Sequence, residues 1–197
     1  MLIGLCGRAG AGKTTVAKHL VCHGFKEFTF AEPLKRICAR ISGISYEILL
    51  GETPETRLQR ETIKDPVWGL TGREWLETIG TDVMRKHFDA DVWYKILMRD
   101  CAQELQHGNI VITDCRFLNE YEGIKKMGGK VIVLYRNESE LMITENDKDT
   151  CISKWGFLNF INAEDIHLKN NGSIKTLLDE IINIINKDSQ YDCVSIP

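Results

Sequence analysis

Residues 7–14 read Gly-Arg-Ala-Gly-Ala-Gly-Lys-Thr and complete the pattern G-x-x-x-x-G-K-[ST], in which a glycine-rich loop surrounds phosphate oxygens. The apolar run at residues 2–6 suits a buried strand, and residues 14–20 have the length and periodicity of a helix. A strand, a glycine loop and a helix in this order predict a P-loop that binds an anion through backbone N–H groups and a helix N-terminus. The predicted nucleotide-binding residues are Gly7, Arg8, Ala9, Gly10, Ala11, Gly12, Lys13, Thr14 and Thr15.

Two further side chains complete the predicted phosphate and metal chemistry of this loop. Lys13 is expected to reach the β- and γ-phosphates, while the Thr14 hydroxyl binds Mg²⁺. Asp114 ends another apolar strand about a hundred residues later, where a carboxylate can hold Mg²⁺ directly or through water. A plain turn at the end of the strand is the alternative for Asp114. The expected ligands are Mg²⁺ and ATP as phosphoryl donor, with GTP left open, and the expected metal ligands are Thr14 and Asp114.

Short apolar strands alternate with amphipathic helices along the chain. After the first strand, the predicted strands are residues 25–30, 109–114, 130–135 and 166–168. Such alternation predicts an α/β fold in three layers, with a parallel sheet flanked by helices. Ligands of such sheets bind at the carboxyl ends of the strands, so the P-loop, residues 31–33, Asp114 and Arg136 are expected to converge on one edge.

The length of 197 residues indicates one domain with local insertions. The predicted parts are a core (1–30 and 108–187), a helical insertion (about 31–107), a short lid (about 137–155) and a loose tail (188–197). Within the insertion, the weakly patterned residues 43–70 are predicted to be mobile. Residues 71–88 begin with a Thr-x-x-Glu capping box and predict one long helix. Its 3.6-residue period places Trp75, Leu76, Ile79 and Val83 on the apolar side, and Thr78, Asp82 and Arg85 along another flank.

Composition excludes several classes of protein. Seven cysteines without a C-x-x-C pair argue against a disulfide framework and a zinc site, and favour a cytoplasmic protein. The formal net charge of -3 argues against nucleic-acid binding, and no apolar run approaches membrane-spanning length. A homodimer is left open. All ten arginines precede residue 137, and residues 137–197 carry 5 basic against 11 acidic side chains, so an anionic substrate is expected to bind the first two-thirds of the chain.

Several motifs, taken in order, resemble a known family. The P-loop is followed by Phe-Ala-Glu-Pro-Leu-Lys at 30–35, Gly-Arg-Glu at 72–74, Gly-Thr-Asp at 80–82 and Asp-Cys-Arg-Phe-Leu-Asn-Glu at 114–120. This set is similar to that of the deoxynucleoside monophosphate kinases of bacteriophages and related viruses. The resemblance covers most of the chain and implies a P-loop kinase core, a helical acceptor-binding insertion and a short lid. If the chain is viral, its compartment would be the host cytoplasm.

The resemblance implies a transfer of the γ-phosphoryl group of ATP to a deoxynucleoside 5′-monophosphate. It implies that Lys35, Arg73 and Arg85 hold the acceptor phosphate, although each could be a solvated helix charge. Trp68 is the candidate for stacking on the base, with a role in the core as the alternative. A small-metabolite kinase, like phosphomevalonate or dephospho-coenzyme A kinase, is the second hypothesis, and a nucleotide-binding regulatory switch is the third.

The acidic lid departs from the family pattern, so its functional residues are not transferred. Residues 137–150 offer only Lys148 against five acidic side chains, which suits a lid that excludes water but not one that neutralises a phosphoryl group. The stabilising cation must then be Arg8, Arg116 or Arg136. Arg116 is favoured because it lies two residues beyond Asp114, and Arg136 is second. The predicted catalytic residues are Lys13, Asp114, Arg116 and Arg136.

Overall fold

The computed structural model describes residues 1–137, 161 and 164–191, and these form two compact units. The first, called here the sheet unit, consists of Met1–Glu27 and the described residues from Glu104 onward. The second, the helical unit, is Phe28–Gln103. Among the helices of the described residues, none combines the length and apolar character needed to cross a bilayer.

All five predicted strands are present, and helices connect them. In chain order the elements are β1 (Leu2–Cys6), α1 (Lys13–Cys22), β2 (Phe25–Phe28), α2 (Glu32–Ser42), α3 (Tyr46–Leu50), α4 (Pro54–Thr62), α5 (Gly72–Glu77), a π-helix (Thr78–Phe88), α6 (Val92–Glu104), β3 (Asn109–Ile112), α7 (Leu118–Lys126), β4 (Lys130–Tyr135), β5 (Ile166–Lys169) and α8 (Ile174–Tyr191). Helix α8 continues into the predicted tail as far as Tyr191, and residues 192–197 lie outside the described part. Of the predicted lid (about 137–155), residues 138–155 also lie outside the described part.

The strands form one sheet in the order β2-β3-β1-β4-β5. Strand β1 pairs in parallel with both β3 and β4, so that Gly4 lies opposite Ile112 on one side and Val131 on the other. Strand β4 also pairs in parallel with β5. The carboxyl ends of these four strands therefore lie at the same edge of the sheet.

Helices pack on both faces of this sheet. On one face, Ile3 and Leu5 of β1 share a core with side chains of α1 and α8, including Val16, Ala17, Leu20, Leu177 and Ile181. Each fully buried aliphatic side chain of this kind contributes roughly 1.5–3 kcal/mol relative to an exposed one. On the other face, a Cβ added to Gly4 would lie 2.6 Å from Ile124 Cδ1, because α7 packs directly on β1. The predicted three-layer α/β core is confirmed.

The helical unit has a core of its own. It contains Leu34, Cys38, Ile44, Leu49, Trp75, Val92 and Trp93. The Trp93 indole N–H donates to the carbonyl of Gly80 at 3.0 Å, which satisfies a polar group inside this core. A Cβ added to Gly80 would lie 2.6 Å from Leu34 Cδ2, so a glycine allows α2 and the π-helix to approach closely.

Residues 43–70, predicted as a mobile insertion, contain helices α3 and α4 and a hydrogen-bonded turn. The hydrophobic periodicity of this segment is weak, and side-chain hydrogen bonds cap the N-termini of its two helices. Ser45 accepts from a backbone N–H at the start of α3, and Thr53 opens α4 with a capping box. The Asp65 carboxylate then accepts from three backbone N–H groups of its own turn at 2.7–3.0 Å. Polar capping, rather than an apolar stripe, defines this segment.

Residues 71–88 are helical as predicted, but from Thr78 onward the helix is a π-helix. Its hydrogen bonds span five residues, and the Asp89 N–H ends the series by donating to the Met84 carbonyl at 2.8 Å. Each residue then turns through a smaller angle than in an α-helix. Val83, predicted on the apolar side, is 44% exposed. The prediction that Thr78, Asp82 and Arg85 share one flank also assumed the 3.6-residue period of an α-helix. The π-helix removes the basis of that prediction.

Candidate nucleotide-binding site

The loop between β1 and α1 has the backbone that the P-loop pattern requires. Gly7 and Gly12 have φ angles of 139° and 107°, which L-residues with side chains rarely adopt. A Cβ at Gly7 would overlap the carbonyl oxygen of Leu134, and one at Gly12 would lie 2.5 Å from Asn170 Nδ2. As the N-cap of α1, Gly12 has no side chain with which to accept from the first N–H groups of the helix. Loop and helix therefore direct backbone donors towards an anion.

Lys13 folds back over this loop. Its ammonium donates to the carbonyls of Gly7 at 2.6 Å and Arg8 at 2.9 Å. Burial, assisted by the charge of Arg116, lowers the pKa of Lys13 to about 8, against the raising influence of Cys6 and Asp114. An anion bound beside Lys13 would stabilise its charged form.

Asp114 and Arg116 follow β3 at the edge of the sheet where the P-loop lies. Both act on the charge of Lys13, so these three predicted residues share one electrostatic environment. The segment is held by Glu120, whose buried carboxylate accepts from the backbone N–H groups of Arg116 at 2.9 Å and Phe117 at 3.1 Å. Glu120 therefore caps α7.

The other strand ends place two more polar residues at this edge. Arg136 directly follows β4 and is exposed. Asn170 follows β5; its backbone N–H donates to the Tyr135 carbonyl at 2.7 Å, and its side-chain amide donates to the Ala11 carbonyl at 2.9 Å. Sequence reasoning missed Asn170 as a support of the P-loop. The signal was available, because Asn170 is a polar residue after a strand, like Asp114 and Arg136.

A small pocket adjoins the P-loop through Asn170. It lies between the end of β5 and the first turns of α8. Its lining includes Asn170, Asn171, Gly172, Ser173, Thr176 and Glu180. Amides, hydroxyls and a carboxylate can donate to and accept from a polar ring, so the pocket is a candidate for the base or sugar of a bound nucleotide.

The residues present also fit a magnesium nucleotide. Thr14 is exposed in the first turn of α1, and Asp114 is half-buried after β3. Mg²⁺ in such sites takes one or two protein oxygens together with phosphate oxygens and water. A hydroxyl, a carboxylate and a loop of backbone donors within one unit supply that set.

The four predicted acceptor residues all lie in the helical unit, on four different segments. Lys35 is half-buried in α2, and Arg73 lies in the first turn of α5, where it binds the Glu61 carboxylate. Arg85 lies on the π-helix and donates to the carbonyl of Ala90 at 3.3 Å. Trp68 is 58% exposed and lies edge-on to Trp75, with 5.4 Å between ring centroids.

Trp68 differs from Trp93 in its exposure. Trp93 is only 2% exposed and belongs to the core of the helical unit. Trp68 instead exposes more than half of its surface to solvent. Its backbone N–H donates to the Asp65 carboxylate at 2.7 Å, which fixes the backbone at this position. The core alternative for Trp68 therefore does not hold, and its role in stacking stays a prediction.

The parallel sheet, the flanking helices and the P-loop define the fold of the P-loop kinases. Two solved structures share this fold over nearly their whole length. Dephospho-CoA kinase from Campylobacter jejuni aligns with a TM-score of 0.56 and 16% identity, covering 97% of this chain and 98% of its own. Shikimate kinase from Aquifex aeolicus aligns with a TM-score of 0.52 and 13% identity, covering 96% and 99%. At these identities the likeness concerns the fold alone.

Sequence comparison identifies the family. Residues 53–181 match the model of the deoxynucleotide monophosphate kinase family. An Acanthamoeba polyphaga mimivirus protein named "Putative deoxynucleotide monophosphate kinase" is 34% identical over 203 residues, which is 98% of this chain and 100% of that protein. The chain belongs to the deoxynucleotide monophosphate kinase family. The resemblance found in its motifs is confirmed, and the protein is a phosphotransferase of the kinase class.

Proposed function

We propose that this protein transfers the γ-phosphoryl group of ATP to a deoxynucleoside 5′-monophosphate, yielding ADP and the deoxynucleoside diphosphate. Its membership of the family supports a nucleotide as acceptor. The arrangement that carries the chemistry is the Lys13 ammonium over the P-loop carbonyls, together with Asp114 and Arg116, which follow β3 at the same edge of the sheet. It combines cations for phosphate oxygens with a carboxylate suited to a metal.

The sheet unit would bind the donor. The backbone donors between Gly7 and Thr15 would surround its β- and γ-phosphates, and the Lys13 ammonium would exchange a loop carbonyl for a phosphate oxygen. Thr14 and Asp114 would hold Mg²⁺, which when bound neutralises charge on the phosphate oxygens. The pocket beside Asn170 would receive the nucleoside of ATP.

The helical unit would bind the acceptor. Lys35, Arg73 and Arg85 would hold its phosphate, and the exposed indole of Trp68 would stack on its base. A phosphate monoester has a second pKa of about 6, so its attacking oxygen is already ionised at neutral pH. The reaction therefore needs positioning and charge neutralisation but no general base.

Arg116 would stabilise the charge that develops during transfer. Its charge already acts on Lys13, while Arg8 in the P-loop and Arg136 after β4 are the alternative cations. A guanidinium matches phosphoryl oxygens in a bidentate manner. Arginines in this role increase kcat by about 10³–10⁵-fold.

A substrate panel tests the assignment. ADP release would be measured with Mg-ATP and each deoxynucleoside and ribonucleoside monophosphate, with phosphomevalonate and dephospho-coenzyme A in parallel. We expect turnover with at least one deoxynucleoside monophosphate at a higher kcat/KM than with its ribose counterpart. Turnover confined to the small metabolites would instead assign the protein to the second hypothesis.

A further inference from the structure

Helices α4 and α5 of the helical unit meet at a cluster of two arginines and one glutamate. The Glu61 carboxylate accepts from Arg73 Nε at 3.2 Å to each oxygen and from Arg73 Nη2 at 3.0 Å. Arg60 Nε and Nη2 both approach Glu61 Oε1 at 3.4 Å. One carboxylate thus bridges two guanidinium groups that belong to different helices.

The fold makes space for Arg60 with two glycines. A Cβ added to Gly51 would lie 2.7 Å from Arg60 Nη1, and one added to Gly72 would lie 3.1 Å from Arg60 Cγ. The Arg60 side chain is only 16% exposed. Confinement of this kind reduces the side-chain entropy that a guanidinium loses when it binds an anion.

Two carboxylates face the arginines of this cluster: Glu61 bridges Arg60 and Arg73, and Glu77 Oε1 lies 4.0 Å from Arg73 Nε. Burial, followed by the charge of Arg73, lowers the pKa of Arg60, and Glu61 offsets this only in part. A third guanidinium, that of Arg57, lies nearby and donates to the carbonyls of Gly51 and Glu52. The two bridged guanidinium groups share the half-exposed Glu61 carboxylate, and the Glu77 carboxylate, 4.0 Å from Arg73, is itself exposed, so an oxyanion of higher charge would satisfy the pair better.

A simple link between helices is the alternative explanation. Exposed ion pairs contribute little to stability, so the Arg73–Glu61 pair alone would tie α4 to α5 only weakly. Such a link does not require a second, confined arginine on the same carboxylate. The Glu61 side chain is 42% exposed and lies near the end of α4, so it can turn towards solvent.

We propose that Arg60 and Arg73 together bind the phosphate of the acceptor, and that Glu61 occupies this site as an internal counter-ion until the phosphate displaces it. The inference rests on the proposed function, which assigns an acceptor role to Arg73. It adds Arg60 as a binding residue and makes Glu61 a competitor of the substrate. The ligand class is a phosphate monoester dianion, whose oxygens match two guanidinium forks.

Two neutral variants separate these roles. Arg60→Gln should raise the acceptor KM roughly tenfold or more, because a charge-assisted hydrogen bond is lost, while the KM for ATP stays unchanged. Glu61→Gln should lower the acceptor KM by up to roughly fivefold, because the competing carboxylate is gone. Arg60→Lys, which keeps the charge without the fork, should fall between wild type and Arg60→Gln.

The matched controls are Arg99→Gln and Asp100→Asn. They remove one positive and one negative charge from an exposed ion pair between consecutive residues of α6. Neither control should change the acceptor KM. A purely structural link would lower Tm in both cluster variants and leave the acceptor KM unaltered, and that result would overturn the proposal. A rise in acceptor KM for Glu61→Gln would overturn the counter-ion role.

A direct titration distinguishes this inference from the proposed function. With the P-loop saturated by a non-hydrolysable ATP analogue, inorganic phosphate would be titrated into wild type, Arg60→Gln and Glu61→Gln by calorimetry. We expect binding that weakens in the first variant and tightens in the second. If no deoxynucleoside monophosphate is turned over but this pattern appears, the anion site stands and the proposed acceptor is wrong. If phosphate binds all three proteins equally, the anion site itself is refuted.

Discussion

Lys13 is the residue whose protonation we expect to control the binding of ATP. Its pKa is lowered to about 8 by burial and by Arg116. A bound phosphate raises the pKa of a neighbouring lysine, because it favours the charged form. We therefore predict that affinity for Mg-ATP falls as pH rises through about 8 and that binding takes up protons near this pH. Calorimetry in buffers of different ionisation enthalpy measures that uptake.

Lys13→Ala provides the control for this titration. The variant should lose phosphoryl transfer and the pH dependence of ATP binding, yet melt like wild type, since Lys13 contacts loop carbonyls rather than the core. Persistence of the pH dependence in Lys13→Ala would assign the titration to another group. A normal kcat in a normally folded variant would refute the role of Lys13.

Arg116 is predicted to act mainly on the transition state. Arg116→Ala should reduce kcat roughly 10³-fold or more, with a much smaller change in either KM. Arg99→Ala, which removes an exposed guanidinium from α6, is the matched control and should leave kcat unchanged. Lys148→Ala tests the lid, which lies outside the described residues. A greater loss of kcat in Lys148→Ala than in Arg116→Ala would contradict the assignment.

Local spacing predicts the backbone of the P-loop, because its strand, glycines and helix start follow one another directly in the sequence. Gly7 and Gly12 have the positive φ angles that this pattern requires, and the roles of Lys13 and Thr14 stay predictions. The cluster of Arg60, Glu61 and Arg73 could not be found in this way. Its members join only when α4 and α5 pack, and nothing in the sequence reports that packing. Tertiary structure therefore supplied the residues that sequence reasoning lacked.

At the scale of elements, the turn at Asp65 is the clearest source of pH-dependent stability. Burial acts to raise the pKa of Asp65, but bonds from Trp68, Trp75, Leu70 and Val67 outweigh it and hold the pKa at about 2. The folded pKa is below the ordinary value of 3.8, so the carboxylate stabilises the fold above about pH 4 and loses this effect as pH falls to about 2.

Asp65→Asn tests this turn. The amide presents an N–H₂ group to donors that need an acceptor, so Tm at pH 7 should fall by several degrees. Between pH 4 and 2 the variant should lose less additional stability than wild type. Asp100→Asn, at an exposed carboxylate, is the control, and its Tm should equal that of wild type at pH 7 and between pH 4 and 2. An unchanged Tm for Asp65→Asn at pH 7 would show that the turn does not depend on this carboxylate.

The π-helix carries Arg85, for which we predict an effect on the acceptor. Arg85→Ala should raise the KM for the monophosphate by an amount equivalent to about 1.5–3 kcal/mol, with little change in the KM for ATP. Lys86→Ala removes the adjacent exposed charge, which pairs with Asp82, and serves as the control. Equal changes in both KM values for Arg85→Ala would refute its acceptor role.

The same elements show where periodicity predicts structure and where it fails. Strands β1 and β4 were predictable because both are buried, continuous apolar runs. Helices α3 and α4 are short and defined by Ser45 and Thr53 caps, so an apolar stripe could not reveal them. The π-helix begins within one continuous helical segment, predicted at residues 71–88 with the 3.6-residue period of an α-helix. Its change of period is visible in the hydrogen bond from Asp89 to Met84 and in the exposure of Val83.

At the scale of the whole molecule, the proposed roles divide between the two units. The sheet unit contains every residue predicted to bind ATP and Mg²⁺, from the P-loop to Arg136. The helical unit contains every residue predicted to bind the acceptor, together with the Arg60–Glu61–Arg73 cluster. Substitutions at the acceptor residues of the helical unit should therefore change the acceptor KM selectively, while Lys13 variants should affect the use of ATP.

The identity of the labelled product shows whether the protein transfers a phosphoryl group to a nucleotide. The protein would be incubated with ATP labelled in its γ-phosphate, Mg²⁺ and each deoxynucleoside monophosphate, and the labelled products separated. We predict that the label appears in a deoxynucleoside diphosphate and that Lys13→Ala forms none. Label found only in inorganic phosphate, or in another phosphorylated metabolite, would contradict the assignment.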